Sequence, residues 1–207
     1  MPPILNDMKT KIILGWITLL TAFQSHAALS FTGGTIDDGN PAGSTFQGSV
    51  SGAGGTITGV TVGLNLSGGY NGDLYAYLVS PDGTLVMLLN RPGTDAFGAP
   101  GSGLNVTLAD AAATSIQTAA ETAGVQFTGA YQAAGSLAGF NGGVADGTWT
   151  LFFADMSSGG GTSTLTGWSL DITAVPEPVN EALALGGVIL VAAGLWRRCQ
   201  RRQVERL

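Results

Sequence analysis

An all-β sandwich is the fold class that this sequence predicts, and three observations predict it. Apolar and polar residues alternate with a period of two in several short runs. The 33 glycines are spread along the whole chain, and charged residues make up only 11% of it. Alternation is the mark of strands with one buried face, and glycine supplies the tight turns between them. A chain this poor in charge has little with which to dress the exposed faces of helices. At 207 residues there is room for one ordinary domain with short targeting segments at its ends.

The elements follow in order. Residues 1–27 read as a signal peptide, with Met1 or Met8 as the start. From Met8 the layout is a basic region (Lys9, Lys11), an apolar run from Ile12 to Phe23, and a small-x-small cleavage site at Ser25-His26-Ala27. The β domain spans residues 28–174. Val60, Val62, Leu64 and Leu66 alternate with Thr61, Gly63 and Asn65, which predicts a half-buried strand. Leu74 to Val79 predicts a second, with Tyr75 and Tyr77 on one face. Ser80-Pro81-Asp82-Gly83 is turn chemistry, and Thr84 to Leu89 returns to complete a hairpin. Residues 91–146 are rich in Gly and Ala, and Asp110 to Ala123 reads either as a short helix or as part of a long connection. Trp149, Leu151 and Phe153 then share a strand face, and a Ser/Gly loop covers Ser157 to Thr164. Trp168, Leu170 and Ile172 alternate with Ser169, Asp171 and Thr173 in a last strand.

Residues 175–207 form a different kind of segment. Pro176 and Pro178 stop the last strand, and Ala182 to Trp196 is an uncharged apolar run. As a helix, 182–196 is about 22 Å long against a hydrocarbon core of about 30 Å. Trp196 suits the interface, and Arg197, Arg198, Arg201, Arg202 and Arg206 can snorkel and mark the cytoplasmic side. This predicts a transmembrane helix with the β domain outside.

Charge and rare residues exclude several function classes. Residues 28–174 hold ten acids and a single base, Arg91. A domain this acidic repels nucleic acid. The only histidine, His26, and the only cysteine, Cys199, both fall outside residues 28–174, so that region has no disulfide, thiolate metal site or histidine base. It also has no lysine, no Gly-Xaa-Ser-Xaa-Gly elbow and no phosphate-binding Gly-Lys-Ser/Thr loop. The expectation is a chain that is not an enzyme and has no catalytic residues.

Two resemblances sharpen this picture. Val175, Pro176, Glu177 and Pro178, the apolar run and the Arg197-Arg198 cluster resemble the PEP-CTERM sorting signal. That resemblance implies handling by an exosortase after export by the secretion machinery. NGDLYAYLVSPDGT (71–84), GTWTLFFAD (147–155) and LTGWSLDI (165–172) are similar to the P domain, or Homo B domain, of kexin- and furin-type proteases. TIDDGNPAG (35–43) and FTGAYQAAGSLAGFNG (127–142) resemble segments of its bacterial versions. The likeness implies a jelly-roll β-sandwich that supports a neighbouring catalytic domain and does not itself cut peptides. Gly68 and Gly69 stand where that family commonly has histidine and threonine.

The remaining chemistry lies in the acids. Asp37, Asp38, Asp73, Asp82, Asp95, Asp146 and Asp155 fall in predicted loops or at strand ends. Asp82 and Asp146 fit turn chemistry. Asp37, Asp38, Asp73 and Asp155 are the candidate ligands of a structural calcium ion, which takes several oxygen donors. Tyr70, Tyr75 and Tyr77 suit either a sheet face or a sugar platform. The expected role is therefore an exported, exosortase-sorted envelope or matrix protein with a non-catalytic structural or binding module. The alternatives are an accessory P domain for a separately encoded subtilisin-like protease, or a polysaccharide-binding module. The implied location is a membrane-anchored precursor, then the cell surface or extracellular matrix.

Overall fold

Nine strands in two facing sheets make up residues 24–175, the part that the computed structural model describes. They are β1 (Ser25–Ile36), β2 (Ser44–Val50), β3 (Thr56–Gly68), β4 (Leu74–Val79), β5 (Leu85–Asn90), β6 (Leu104–Leu108), β7 (Phe127–Tyr131), β8 (Gly147–Asp155) and β9 (Ser163–Val175). One sheet runs β1-β9-β3-β6-β7 and the other β2-β8-β4-β5. Every pairing is antiparallel except β6 with β7. The predicted leader and the predicted transmembrane sorting tail lie almost wholly outside the described residues. Among the described residues no helix is long and apolar enough to cross a membrane.

The period-two runs become the core. Val60, Val62, Leu64 and Leu66 of β3 are buried, as are Leu74, Ala76 and Leu78 of β4 and Trp149, Leu151 and Phe153 of β8. Trp168, Leu170 and Ile172 of β9 lie beside the β3 residues in the five-stranded sheet, across the core from β4 and β8. Strand pleating makes this arrangement: alternate side chains point to one face, where burial of each large apolar group stabilises by about 1.5–3 kcal/mol. Phe140, on a short 3-10 turn at Leu137–Phe140, meets Trp149 edge to face with centroids 5.0 Å apart. The Trp149 indole N–H donates to the Ala145 carbonyl at 3.0 Å, which satisfies its one polar atom, whereas the Trp168 indole nitrogen is buried without a partner.

The hairpin of β4 and β5 closes through the predicted turn. The Gly83 N–H donates to the Ser80 carbonyl at 3.0 Å, with Gly83 at φ +87°, which a residue bearing a Cβ rarely adopts. The 109–126 stretch is a connection and not a helix. The segment runs back across the sheet edge, where the Gln117 side chain receives the Asn90 N–H at 3.1 Å and donates to its carbonyl at 2.8 Å. With the Ala134 and Gly135 N–H groups donating to the Leu88 and Met87 carbonyls at 3.0 and 2.8 Å, that contact covers β5, the edge strand of its sheet. β1 takes in Ser25, His26 and Ala27, which pair with Ala174, Thr173 and Ile172 of β9. The small residues of the predicted cleavage site therefore begin the first strand.

Candidate functional site

β4 and β8 are neighbours, and their register sets Leu74 opposite Asp155. Asp73, just before β4, and Asp155, at the end of β8, are thereby carried to the same end of the sandwich. A backbone bond from the Met156 N–H to the Asp73 carbonyl, 2.8 Å long, ties the two strand ends together. Both carboxylates are buried, Asp155 with 0% exposure and Asp73 with 7%.

Loops close over this pair. Asp155 Oδ1 accepts the Ser157 N–H at 3.1 Å and the Gly39 N–H at 3.3 Å, which pins the 37–43 loop to the end of β8. The Asp38 carboxylate receives the Gly159 N–H at 3.1 Å to each oxygen and pins the same loop to the Ser/Gly loop after β8. Gly39, at φ +64°, lets the two loops touch: a Cβ there would lie 2.9 Å from that of Ser158. Arg91 supplies the positive charge, with its guanidinium 3.7 Å from Asp73 Oδ1. It is the sole non-glycine residue with positive φ among the described residues, at +51°. Burial, then the neighbouring Asp155 charge, raise the Asp73 pKa above the usual carboxylate value; Arg91 opposes them and Asp38 adds to them.

The four candidate metal ligands therefore divide. Asp73 and Asp155 come together, and Asp38 is near enough for its charge to bear on Asp73. Asp37 stays exposed, and only its carbonyl is engaged, by the Asn40 N–H at 3.3 Å. Among the described residues no three His, Cys, Asp or Glu side chains lie together in a metal-holding group. One acceptor at the cluster is left over: Asp155 Oδ2 is buried without a hydrogen-bond partner.

Two of the other acids, Asp110 and Asp146, fasten loops. Asp110 accepts the N–H groups of Leu137 at 2.9 Å and Ala138 at 2.7 Å and the Ser136 hydroxyl at 2.9 Å. Burial acts to raise its pKa, but these donors together hold it below the usual value. Asp146 accepts from Ala53 and Gly54 at 2.9 and 3.3 Å. His26 faces Asp171 at 3.2 Å on the exposed surface of β1 and β9.

The tyrosines part company too. Tyr75 and Tyr77 lie on the outer face of the four-stranded sheet with Phe152 of β8, and Tyr77 stacks on Phe152 at 4.7 Å between centroids. Tyr70 sits apart, between the 91–99 segment and Gly160, where it lines a cleft of about 400 Å³ with Asp73, Arg91 and Phe97. No platform of three tyrosines exists. Sequence reasoning also missed two polar residues next to this region, the buried Asn71 and the half-buried Glu121, whose side chains are hydrogen-bonded at 2.7 Å. Nothing in their spacing, fifty residues apart, links them.

The proprotein convertase P-domain model matches residues 57–172, more than half of the chain. No curated protein matches it. Among solved structures, the serine protease of Aeromonas sobria is similar at 16% identity and a TM-score of 0.50, over 81% of this chain and 30% of that one. The same protease in complex with its chaperone is similar at 18% identity and a TM-score of 0.48, over 81% and 29%. The chain thus spans less than a third of the solved chains that it matches, and the likeness is one of fold.

Proposed function

Because the chain belongs to the proprotein convertase P-domain family, we propose that its β-sandwich is a non-catalytic structural or binding module of an exported envelope or matrix protein. The observation that carries this reading is where the carboxylates are spent. Asp38, Asp110, Asp146 and one oxygen of Asp155 each accept backbone N–H groups that fasten one loop to another. A carboxylate engaged in this way holds a loop in place and is not free to take a proton from a substrate. His26, the one imidazole, is paired with Asp171 on an exposed sheet surface.

Export and sorting belong to the same proposal and rest on the leader and on the Val175-Pro176-Glu177-Pro178 tail with its apolar run and arginines. An exosortase is the partner that this tail implies. A second reading, an accessory domain for a separately encoded subtilisin-like protease, is supported by family membership. Binding of polysaccharide has less support, because Tyr77 and Phe152 cover one another's ring faces. A pyranose stacks on an exposed face.

The deciding experiment incubates the purified full chain with an unstructured protein, and co-expresses it with a subtilisin-like catalytic domain that has lost its own P domain. No hydrolysis and no gain in protease yield are the results expected. Hydrolysis abolished by one Ser→Ala change would overturn the non-catalytic reading. A gain in folded protease would establish the accessory role instead.

A further inference from the structure

Both predicted targeting segments leave the sandwich at the same end. Ser25, which begins β1, lies opposite Ala174 of β9, and Val175 lies opposite Thr56 at the start of β3. Thr56 also bridges to Val144. The Gly142 N–H donates to the Ile57 carbonyl at 2.9 Å and the Ile57 N–H to the Gly143 carbonyl at 3.0 Å, which fixes the 141–147 segment beside the chain exits. The turn of the β4–β5 hairpin joins it there, since a Cβ on Gly147 would lie 2.7 Å from that of Pro81. Two exposed apolar side chains stand at this end, Val144 at 55% and Leu85 at 52%. Its nearest acids are occupied: Asp82 accepts the Ser80 hydroxyl and the Thr84 N–H, and Asp146 accepts the Ala53 and Gly54 N–H groups.

The Asp73–Asp155 pair lies at the opposite end. β9 runs 13 residues from that end to the exits, which separates the two by about 40 Å. Phe97 and Met156 are exposed as well, but they belong to the far end, with Arg91 and the cleft. The sequence beyond Val175 decides which end meets lipid. Six residues, 176–181, separate Val175 from the start of the predicted transmembrane run at Ala182. A connection of that length reaches no more than about 20 Å. The run itself, about 22 Å as a helix, falls short of a hydrocarbon core of about 30 Å and draws on that reach to complete its crossing. The exit end is thereby brought to the headgroups, and the far end is kept out of their reach. With two carboxylates and no Lys or Arg near the exits, this end fits zwitterionic lipid and is repelled by anionic lipid.

We propose that the end of the sandwich bearing both chain exits docks on a zwitterionic lipid surface through Val144 and Leu85, and that the Asp73–Asp155 end with its cleft is presented away from the membrane. This orientation rests on the reading of residues 175–207 as a membrane-anchoring tail.

Fluorescence quenching from the lipid surface tests it. The full chain, with its only cysteine removed by Cys199→Ser, is reconstituted into phosphatidylcholine vesicles that contain a headgroup-nitroxide phosphatidylcholine. A single fluorophore is attached either at Asn141→Cys, exposed beside the exits, or at Phe97→Cys at the far end. Quenching should be severalfold stronger at position 141 than at position 97. Leu85→Ser/Val144→Ser should weaken it severalfold at position 141, while flotation of the chain with the vesicles is unchanged. Equal quenching at the two positions, or quenching at position 141 that is indifferent to the double change, overturns the docking and leaves the anchoring tail standing. A chain that does not float with the vesicles overturns the anchoring tail and the docking together.

Discussion

Tyr77 of β4 and Phe152 of β8 stand opposite each other across the outer face of the four-stranded sheet, with ring planes 13° apart and centroids separated by 4.7 Å. Tyr75 approaches the same phenyl ring edge-on at 6.4 Å. The three rings form a cross-strand cluster that joins the two strands carrying Asp73 and Asp155. A double-mutant cycle with Tyr77→Ala and Phe152→Ala should give a coupling energy of about 0.5–1.5 kcal/mol in urea unfolding. Additive effects would mean that the rings only cover the sheet.

The pH dependence of stability should carry the mark of Asp73. Its folded-state pKa is raised, so between that value and the unfolded value near 3.9 the folded protein binds more protons than the unfolded one. This group therefore subtracts from stability at neutral pH, and the loss is relieved as pH falls through its folded pKa. Asp73→Asn should remove that component. The difference in unfolding free energy between variant and wild type should narrow on acidification over this window, and a difference independent of pH would contradict the assignment.

Two glycines with positive φ should respond differently to the same change. At Gly43, φ +63°, a Cβ would come within 2.4 Å of the Phe152 ring and of the Phe153 carbonyl oxygen. At Gly52, φ +78°, nothing lies within 4 Å. Gly52→Ala should cost about 1–2 kcal/mol, the backbone penalty alone. Gly43→Ala adds overpacking of about 1–3 kcal/mol to that penalty. Chemical denaturation of the two variants side by side measures the difference.

The proposed sorting role of the tail makes a prediction in cells. Replacement of Pro176, Glu177 and Pro178 should block shortening of the precursor and leave membrane insertion intact, because the apolar run at 182–196 is untouched. Fractionation with detection of both chain ends is the measurement. Mature surface protein that still carries Arg201 and Arg202 would count against processing.

The strands that the sequence made legible are those whose alternation meets the core: β3, β4, β5, β8 and β9. β2 has only Phe46 and Val50 as large apolar residues, and β7 is exposed over Thr128, Gly129 and Ala130. Such strands are held by their neighbours' backbone bonds, which leave no pattern in side-chain type. β1 was obscured further because its first three residues also make a good cleavage site. Asp73 and Asp155 were legible as a pair because both sit at strand ends in motifs that resemble the family. Asn71 and Glu121 were not, since a contact between a turn and a distant irregular connection depends on how residues 99–103 are threaded between them.

The placement of β9 has a consequence for how the molecule comes into being. This strand lies between β1 and β3, with Ser25 opposite Ala174 and Ile57 opposite the same residue on the other side. It is also the last of the nine to leave the ribosome, so β1, which has no other neighbour in its sheet, waits for a partner until residues 163–175 have been made. Pairings this distant along the chain are slow to form, because a loop of more than a hundred residues must close before any contact rewards it. A five-stranded sheet completed from its C-terminal strand cannot settle while synthesis continues. Until then β1 keeps the backbone groups along its whole length unpaired, and the first strand made is the last to be fixed in its sheet.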